Sequence, residues 1–98
     1  MDGYYDAIIA EGAALLDATD GVPSDWRERI DLLHFSILSP MECVLGQLYG
    51  SWRQAPPTIK RHNAFLVATS SELAEYWTEA RRLDEAWRRY LRYATVAA

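Results

Sequence analysis

The stretch Ser39-Pro40-Met41-Glu42-Cys43-Val44-Leu45-Gly46-Gln47-Leu48-Tyr49-Gly50-Ser51-Trp52 decides how the chain is read. It begins with a serine able to cap a helix, a proline whose fixed φ suits a first turn, and a glutamate placed to reach back to the cap. Met41, Val44, Leu45, Leu48, Tyr49 and Trp52 then recur at spacings of three and four, which predicts an amphipathic helix from Ser39 to Trp52 with one buried face. Gly46 and Gly50 each cost about 1 kcal/mol of helix propensity relative to alanine. Their expected use is close approach to another backbone, with Gly50 alternatively ending the helix. Gln47 sits between them, where a polar side chain can hydrogen-bond a neighbouring backbone. Ser39, Glu42, Gly46, Gln47 and Gly50 together are therefore expected to form a structural hub.

Working outward, Tyr5, Ile8, Ile9, Leu15 and Leu16 lie at helical spacing between Gly3 and Ala18, with Gly12 on the same stripe. This predicts a first helix that ends near Thr19-Asp20-Gly21, since glycine supplies a left-handed stop and Pro23 opposes continuation. Ser24 is placed to cap a short turn from Trp26 to Ile30. In Leu33-His34-Phe35-Ser36-Ile37 the apolar residues alternate, yet Ile30, Leu33 and Ile37 also fit a helix. A short helical turn followed by extended chain is the preferred reading.

Beyond the central stretch, Ala55-Pro56-Pro57-Thr58 is expected to stop regular structure, because the second proline forces the first into an extended conformation and neither donates an amide. Ala64 to Ala68 suits either a strand or a buried helical turn. Thr69-Ser70-Ser71 offers caps for a long last helix with the stripe Leu73, Tyr76, Trp77, Ala80, Leu83, Trp87, Tyr90, Leu91 and Ala94. Asp84 with Arg88 and Glu85 with Arg89 stand in the favourable acid-first order four apart, and the tail from Thr95 should fray. The expected fold is mainly α, a compact bundle of about three principal helices with irregular or short extended connections, in a single domain over 1–98.

Composition limits the function. With 98 residues, half of them hydrophobic, four Trp and six Tyr, the chain has enough apolar material for one core. The longest apolar runs fall far short of the ~20 residues a membrane span needs, so no membrane association is expected. The start Met1-Asp2-Gly3 lacks the basic region of a secretory signal, and a cytoplasmic location is the default expectation. One cysteine and two histidines provide no zinc set of ordinary spacing, so neither a metal nor another cofactor is expected.

No catalytic pattern emerges, and the chain reads as a non-enzyme. Cys43 near a helix start has no sequence-local partner and is best read as a packed thiol. His34 and His62 accompany neither a nucleophile motif nor a glycine-rich elbow. Ten tyrosines and tryptophans exceed what a small core readily encloses. Some must reach the surface, which points to protein–protein interaction, by self-association or with a partner protein, through residues such as Trp52, Trp77, Trp87 and Tyr90. The alternative is a small nucleic-acid-associated regulator that uses Arg81, Arg88 and Arg92, which share one face of the last helix. Against it stand the interleaved Glu79, Asp84 and Glu85 and a net charge of −4.

The string Cys43-Val44-Leu45-Gly46-Gln47-Leu48-Tyr49-Gly50-Ser51-Trp52 resembles a family of small, uncharacterised proteins encoded by bacteriophages of actinobacteria. Trp26, Ile30-Asp31, Ser39-Pro40 and Leu83-Asp84-Glu85-Ala86-Trp87-Arg88-Arg89 are similar too, which extends the resemblance to about half the chain. It implies a phage or prophage accessory protein working in the host cytoplasm, and it supplies no catalytic or binding residue. The chain departs from that pattern at Ala55-Pro56-Pro57 and over Ser70 to Arg82.

Overall fold

A computed structural model describes the backbone of residues 2–65 and 73–97 and the side chains of 3–65 and 78–94. Two long helices, α1 (Asp2–Asp17) and α5 (Leu73–Ala97), pack on one another. Short elements occupy the chain between them: α2 (Trp26–Arg29), α3 (Val44–Tyr49), a 3-10 turn (Trp52–Gln54) and α4 (Pro57–Lys60). The fold is mainly α and compact, and no strand occurs among the described residues.

α1 buries Ile9, Ala13 and Leu16 and half-buries Tyr5, Ile8 and Leu15, the stripe its spacing predicts. Gly12 on that stripe is required: a Cβ there would collide with the Ala64 side chain and press on the Phe65 ring, so helix and turn meet at backbone distance. Chain reversal after α1 uses Gly21 at φ +89°. α5 buries Ala80, Leu83, Ala86, Trp87 and Leu91, and it continues as helix through Ala97, where fraying from Thr95 was expected.

The centre of the core is aromatic. Trp87 is fully buried, edge-on to Trp26 with ring centroids 6.4 Å apart and 5.5 Å from Phe65, and its indole donates to the Ala64 carbonyl at 2.7 Å. Trp26, also fully buried, donates to Asp17 Oδ1 at 2.9 Å. Both indoles therefore keep a hydrogen-bond partner while their rings are removed from water.

The central stretch departs most from expectation. The helix expected from Ser39 to Trp52 is only Val44–Tyr49, and its N-cap is Cys43, whose sulfur accepts from the Gly46 amide at 3.3 Å. Ser39 does accept from the Met41 and Glu42 amides, at 3.3 and 3.2 Å, but this closes a separate turn ahead of the helix. The physical reason lies at Gly46. A Cβ there would strike the Pro40 carbonyl oxygen and lie 2.5 Å from the Met41 carbonyl carbon, because residues 40–41 fold back over α3 instead of continuing it. Met41 is accordingly exposed, off the stripe to which its spacing assigned it. Gly50 ends α3 at φ +90° with open space around it, so its role is conformational and involves no close contact.

Other corrections are smaller. α2 is preceded by Asp25 with no side-chain cap from Ser24. Pro56 is extended, but Pro57 opens the helical turn α4, so the double proline both stops and restarts regular structure. Residues 32–34 and 37–38 form turns with 35–36 irregular between them, and none of 33–38 is a strand. Residues 66–68 and the proposed caps Thr69-Ser70-Ser71 lie outside the described residues.

Candidate interaction surface

A network of side-chain hydrogen bonds, partly open to solvent, gathers around the segment from Asp31 to Phe35. Gln47, projecting from α3, accepts from the Asp31 amide at 2.6 Å and donates to the carbonyls of Asp31 and Glu42 at 3.1 and 2.9 Å. Both functions of its amide are thereby used on backbone groups that have no helix or sheet to satisfy them. The Asp31 carboxylate closes a turn of its own, accepting from the Leu33 amide at 3.0 Å and meeting His34 Nδ1 at 2.6 Å. From the other side Arg88 of α5 donates to the Leu32 carbonyl at 3.2 Å and the Phe35 carbonyl at 2.5 Å, while its Nε holds Asp84 at 2.7 Å. Asp84 in turn accepts from the Ile37 amide at 2.9 Å.

A turn held this firmly presents Leu33 to solvent. That side chain is 86% exposed, although Phe35 and Ile37, its partners in the alternating pattern, are buried. The alternation placed Leu33 with them on the inner face, and the Asp31 turn rotates it out. Asp31 and His34 three residues apart, a pairing that closes such turns, is the signal that sequence reading overlooked. Leu38 and Met41 are exposed close by in the chain, and Ser36 donates to the Glu42 carbonyl at 3.3 Å to tie the two loops together. Tyr4 and Tyr93 are the remaining large apolar side chains well exposed among the described residues.

The aromatic residues expected at an interface are placed differently. Trp87 is at the centre of the core and presents nothing to a partner, because the indole of a residue facing Trp26 and Phe65 has no path to solvent. Trp52 is half-buried, donates to the Phe65 carbonyl at 3.2 Å and carries Lys60 over its ring at 5.1 Å. Tyr90 is half-buried and its hydroxyl accepts from Arg27 at 2.8 Å. The side chain of Trp77 lies outside the described residues.

The arginine face also loses its centre. Arg88 is turned inward and engaged by two carbonyls and a carboxylate, whereas Arg81 and Arg92 are exposed. Arg89 reaches across to Asp6 of α1 at 3.0 Å, where an i,i+4 pair with Glu85 was expected. Arg27 forms a two-pronged pair with Asp17 at 2.8 Å on both oxygens, which holds that carboxyl below its ordinary range.

The candidate chemical groups are structurally occupied. Cys43 is buried, and removal from water raises its thiol pKa, which disfavours the reactive thiolate. His62 accepts at Nδ1 from the Ala64 amide at 3.0 Å. His34 is exposed, and its bond to Asp31 raises its pKa. Among the described residues no three His, Cys, Asp or Glu side chains converge as a metal site. No helix there is long and apolar enough to cross a membrane.

Two open grooves flank α5. One, of about 490 Å³, has Ile37, Leu38 and Ala80 on its walls and Arg81, Asp84 and Arg88 among its polar lining. The other, of about 500 Å³, is lined by the paired Asp6 and Arg89 together with Tyr90, Tyr93 and Ala94. Searches of family models, curated proteins and solved structures find no match to this chain.

Proposed function

We propose that the protein works without catalysis, by binding another protein molecule through the surface centred on Leu33. The observation that carries this reading is the cost of the Asp31–Phe35 turn: Gln47, Arg88, Asp31 and His34 all serve to hold it, and its tip is an exposed leucine. Burying such a side chain is worth about 2 kcal/mol, a gain the fold itself leaves unrealised and a partner can collect. A prefixed turn also loses little entropy on binding, which is how a small surface reaches useful affinity.

The resemblance to phage-encoded proteins fits a role as an accessory protein in a host cytoplasm, with a host protein or a second copy as the partner. Affinity capture from an actinobacterial lysate, run side by side with the wild type and Leu33→Asp, tests the reading together with a mass measurement in solution. A wild-type chain that is strictly monomeric and retains no protein overturns it.

A further inference from the structure

We propose that the corner formed by the 3-10 turn and α4 is a second, independent binding site, which takes the phosphate backbone of a nucleic acid on Arg53, Lys60 and Arg61. Charge is unevenly distributed along the chain. From Cys43 to Ser71 there is no Asp or Glu, and these three residues are the Lys and Arg of that stretch, so all fourteen acids stand elsewhere, against seven of the ten Lys and Arg. The net charge of −4 therefore hides a cationic segment within an otherwise acidic chain.

The fold turns these cations outward. Ala55 and Ile59 enter the core, while Arg53 and Arg61 are exposed. Lys60 bridges the two elements: its Nζ donates to the Arg53 carbonyl at 3.3 Å and stands over the Trp52 ring at 5.1 Å. Arg27, Arg29, Arg88 and Arg89 each meet a carboxylate. By contrast, Arg53, Lys60 and Arg61 make no ion pair among the described residues, although Glu11 of α1 comes within 3.9 Å of the neighbouring His62. Arg81 and Arg82 make none there either, but they stand on α5 among Glu79, Asp84 and Glu85, which offset their charge.

The side chains around the cations select the class of partner. The large apolar side chains well exposed among the described residues are Tyr4, Leu33, Leu38, Met41 and Tyr93, and none of them belongs to the stretch 43–65. A protein interface is centred on buried apolar or aromatic anchors, and a membrane-surface segment inserts an apolar face. This corner offers neither, so its ligand is one held by charge. A nucleic-acid backbone binds cations in that way, independently of sequence, through release of its counterions. The acidic remainder of the chain repels the same polyanion and directs it to this corner.

Fluorescence anisotropy of a short, labelled DNA duplex of mixed sequence, titrated with the full chain across a salt series, tests the site. Binding should appear at low salt, be indifferent to base sequence, and weaken with a log–log salt slope of about −3, as three neutralised phosphates require. Arg53→Glu and Arg61→Glu should each lower affinity several-fold and flatten the slope by about one, and the double variant should not bind. Lysine at both positions should retain binding, and Leu33→Asp and Arg81→Glu should leave it unchanged. Circular dichroism confirms that each variant folds. A wild type that fails to bind the duplex at low salt, binding that survives the double Glu variant, or an equal loss with Arg81→Glu overturns the proposal. Binding to phosphatidylserine vesicles in place of the duplex overturns the nucleic-acid assignment.

Discussion

Gln47 closes a double hydrogen bond on the backbone of Asp31, accepting from its amide at 2.6 Å and donating to its carbonyl at 3.1 Å. Residues sixteen apart in sequence are joined as two strands of a sheet would be, with a side chain in place of a strand. Replacing Gln47 with Ala removes both bonds and the one to Glu42, at a cost of about 1–2 kcal/mol because water can reach part of the vacated site. Gln47→Glu keeps the shape but has no donor for the two carbonyls and should lose a similar amount. Urea midpoints measure this, and two variants with wild-type midpoints contradict it.

Gly46 has backbone where a Cβ would stand. Alanine there gains about 1 kcal/mol of helix propensity, but overpacking against a peptide that cannot rotate away costs about 1–3 kcal/mol. Gly46→Ala should therefore lower the thermal midpoint, and Gly46→Leu should lower it further, at about 4–8 °C per kcal/mol for a domain near this size. Gly50→Ala acts through another route, since its site is open and only φ +90° opposes a side chain. An unchanged midpoint for Gly46→Leu would remove the close-packing account.

Arg88 acts as a planar fork, reaching Asp84, Leu32 and Phe35 from one guanidinium. Lysine keeps the charge but cannot span the three acceptors, so Arg88→Lys should destabilise by about 1–3 kcal/mol. Hydrogen exchange at the Ile37 amide, whose acceptor Asp84 is held by Arg88, should quicken in the same variant. Retained stability together with retained protection would show that the fork is dispensable.

Asp17 titrates below its ordinary 3.8 in the folded chain, chiefly because Arg27 donates to it. The unfolded chain thus binds more protons in this range. Stability from the pair is complete above 3.8 and is lost as pH falls through the lowered native value. His34 behaves oppositely: its pKa is raised from 6.5 by Asp31, so its contribution is complete below 6.5 and disappears as pH rises through the raised value. Denaturant midpoints for Asp17→Asn should fall less steeply than wild type on acidification below pH 4. Parallel acid limbs in the two proteins would show that Asp17 carries none of the effect.

Cys43 should resist alkylation at neutral pH, because burial raises its pKa and its sulfur already accepts the Gly46 amide. Labelling by iodoacetamide should follow the urea unfolding curve, with the modified fraction rising only through the transition. Rapid labelling of the folded chain would contradict this placement.

Helices with a long one-sided stripe were legible. α1 and α5 follow from periodicity alone, since an isolated amphipathic face of four or more turns has one way to leave water. The stretch from Ser39 to Trp52 carried the same signals over a shorter span, and tertiary contacts overrode them. With residues 40–41 folded onto α3 at Gly46, the cap passed from Ser39 to Cys43. The interaction surface was less legible still. Aromatic residues were counted as surface in proportion to their number, yet Trp26 and Trp87 fit inside because Asp17 and the Ala64 carbonyl satisfy their indoles.

By itself, then, the sequence determined the class of the fold, the two long helices, the stop at Gly21 and the presence of a single cysteine with no disulfide partner, all of which depend on local pattern and composition. Only the tertiary structure decided that Leu33 faces solvent while Trp87 does not, and that Arg88 serves the backbone of a distant turn. Those outcomes depend on which unpaired backbone groups lie within reach of a given polar side chain, and that is settled by the packing of segments far apart in the chain.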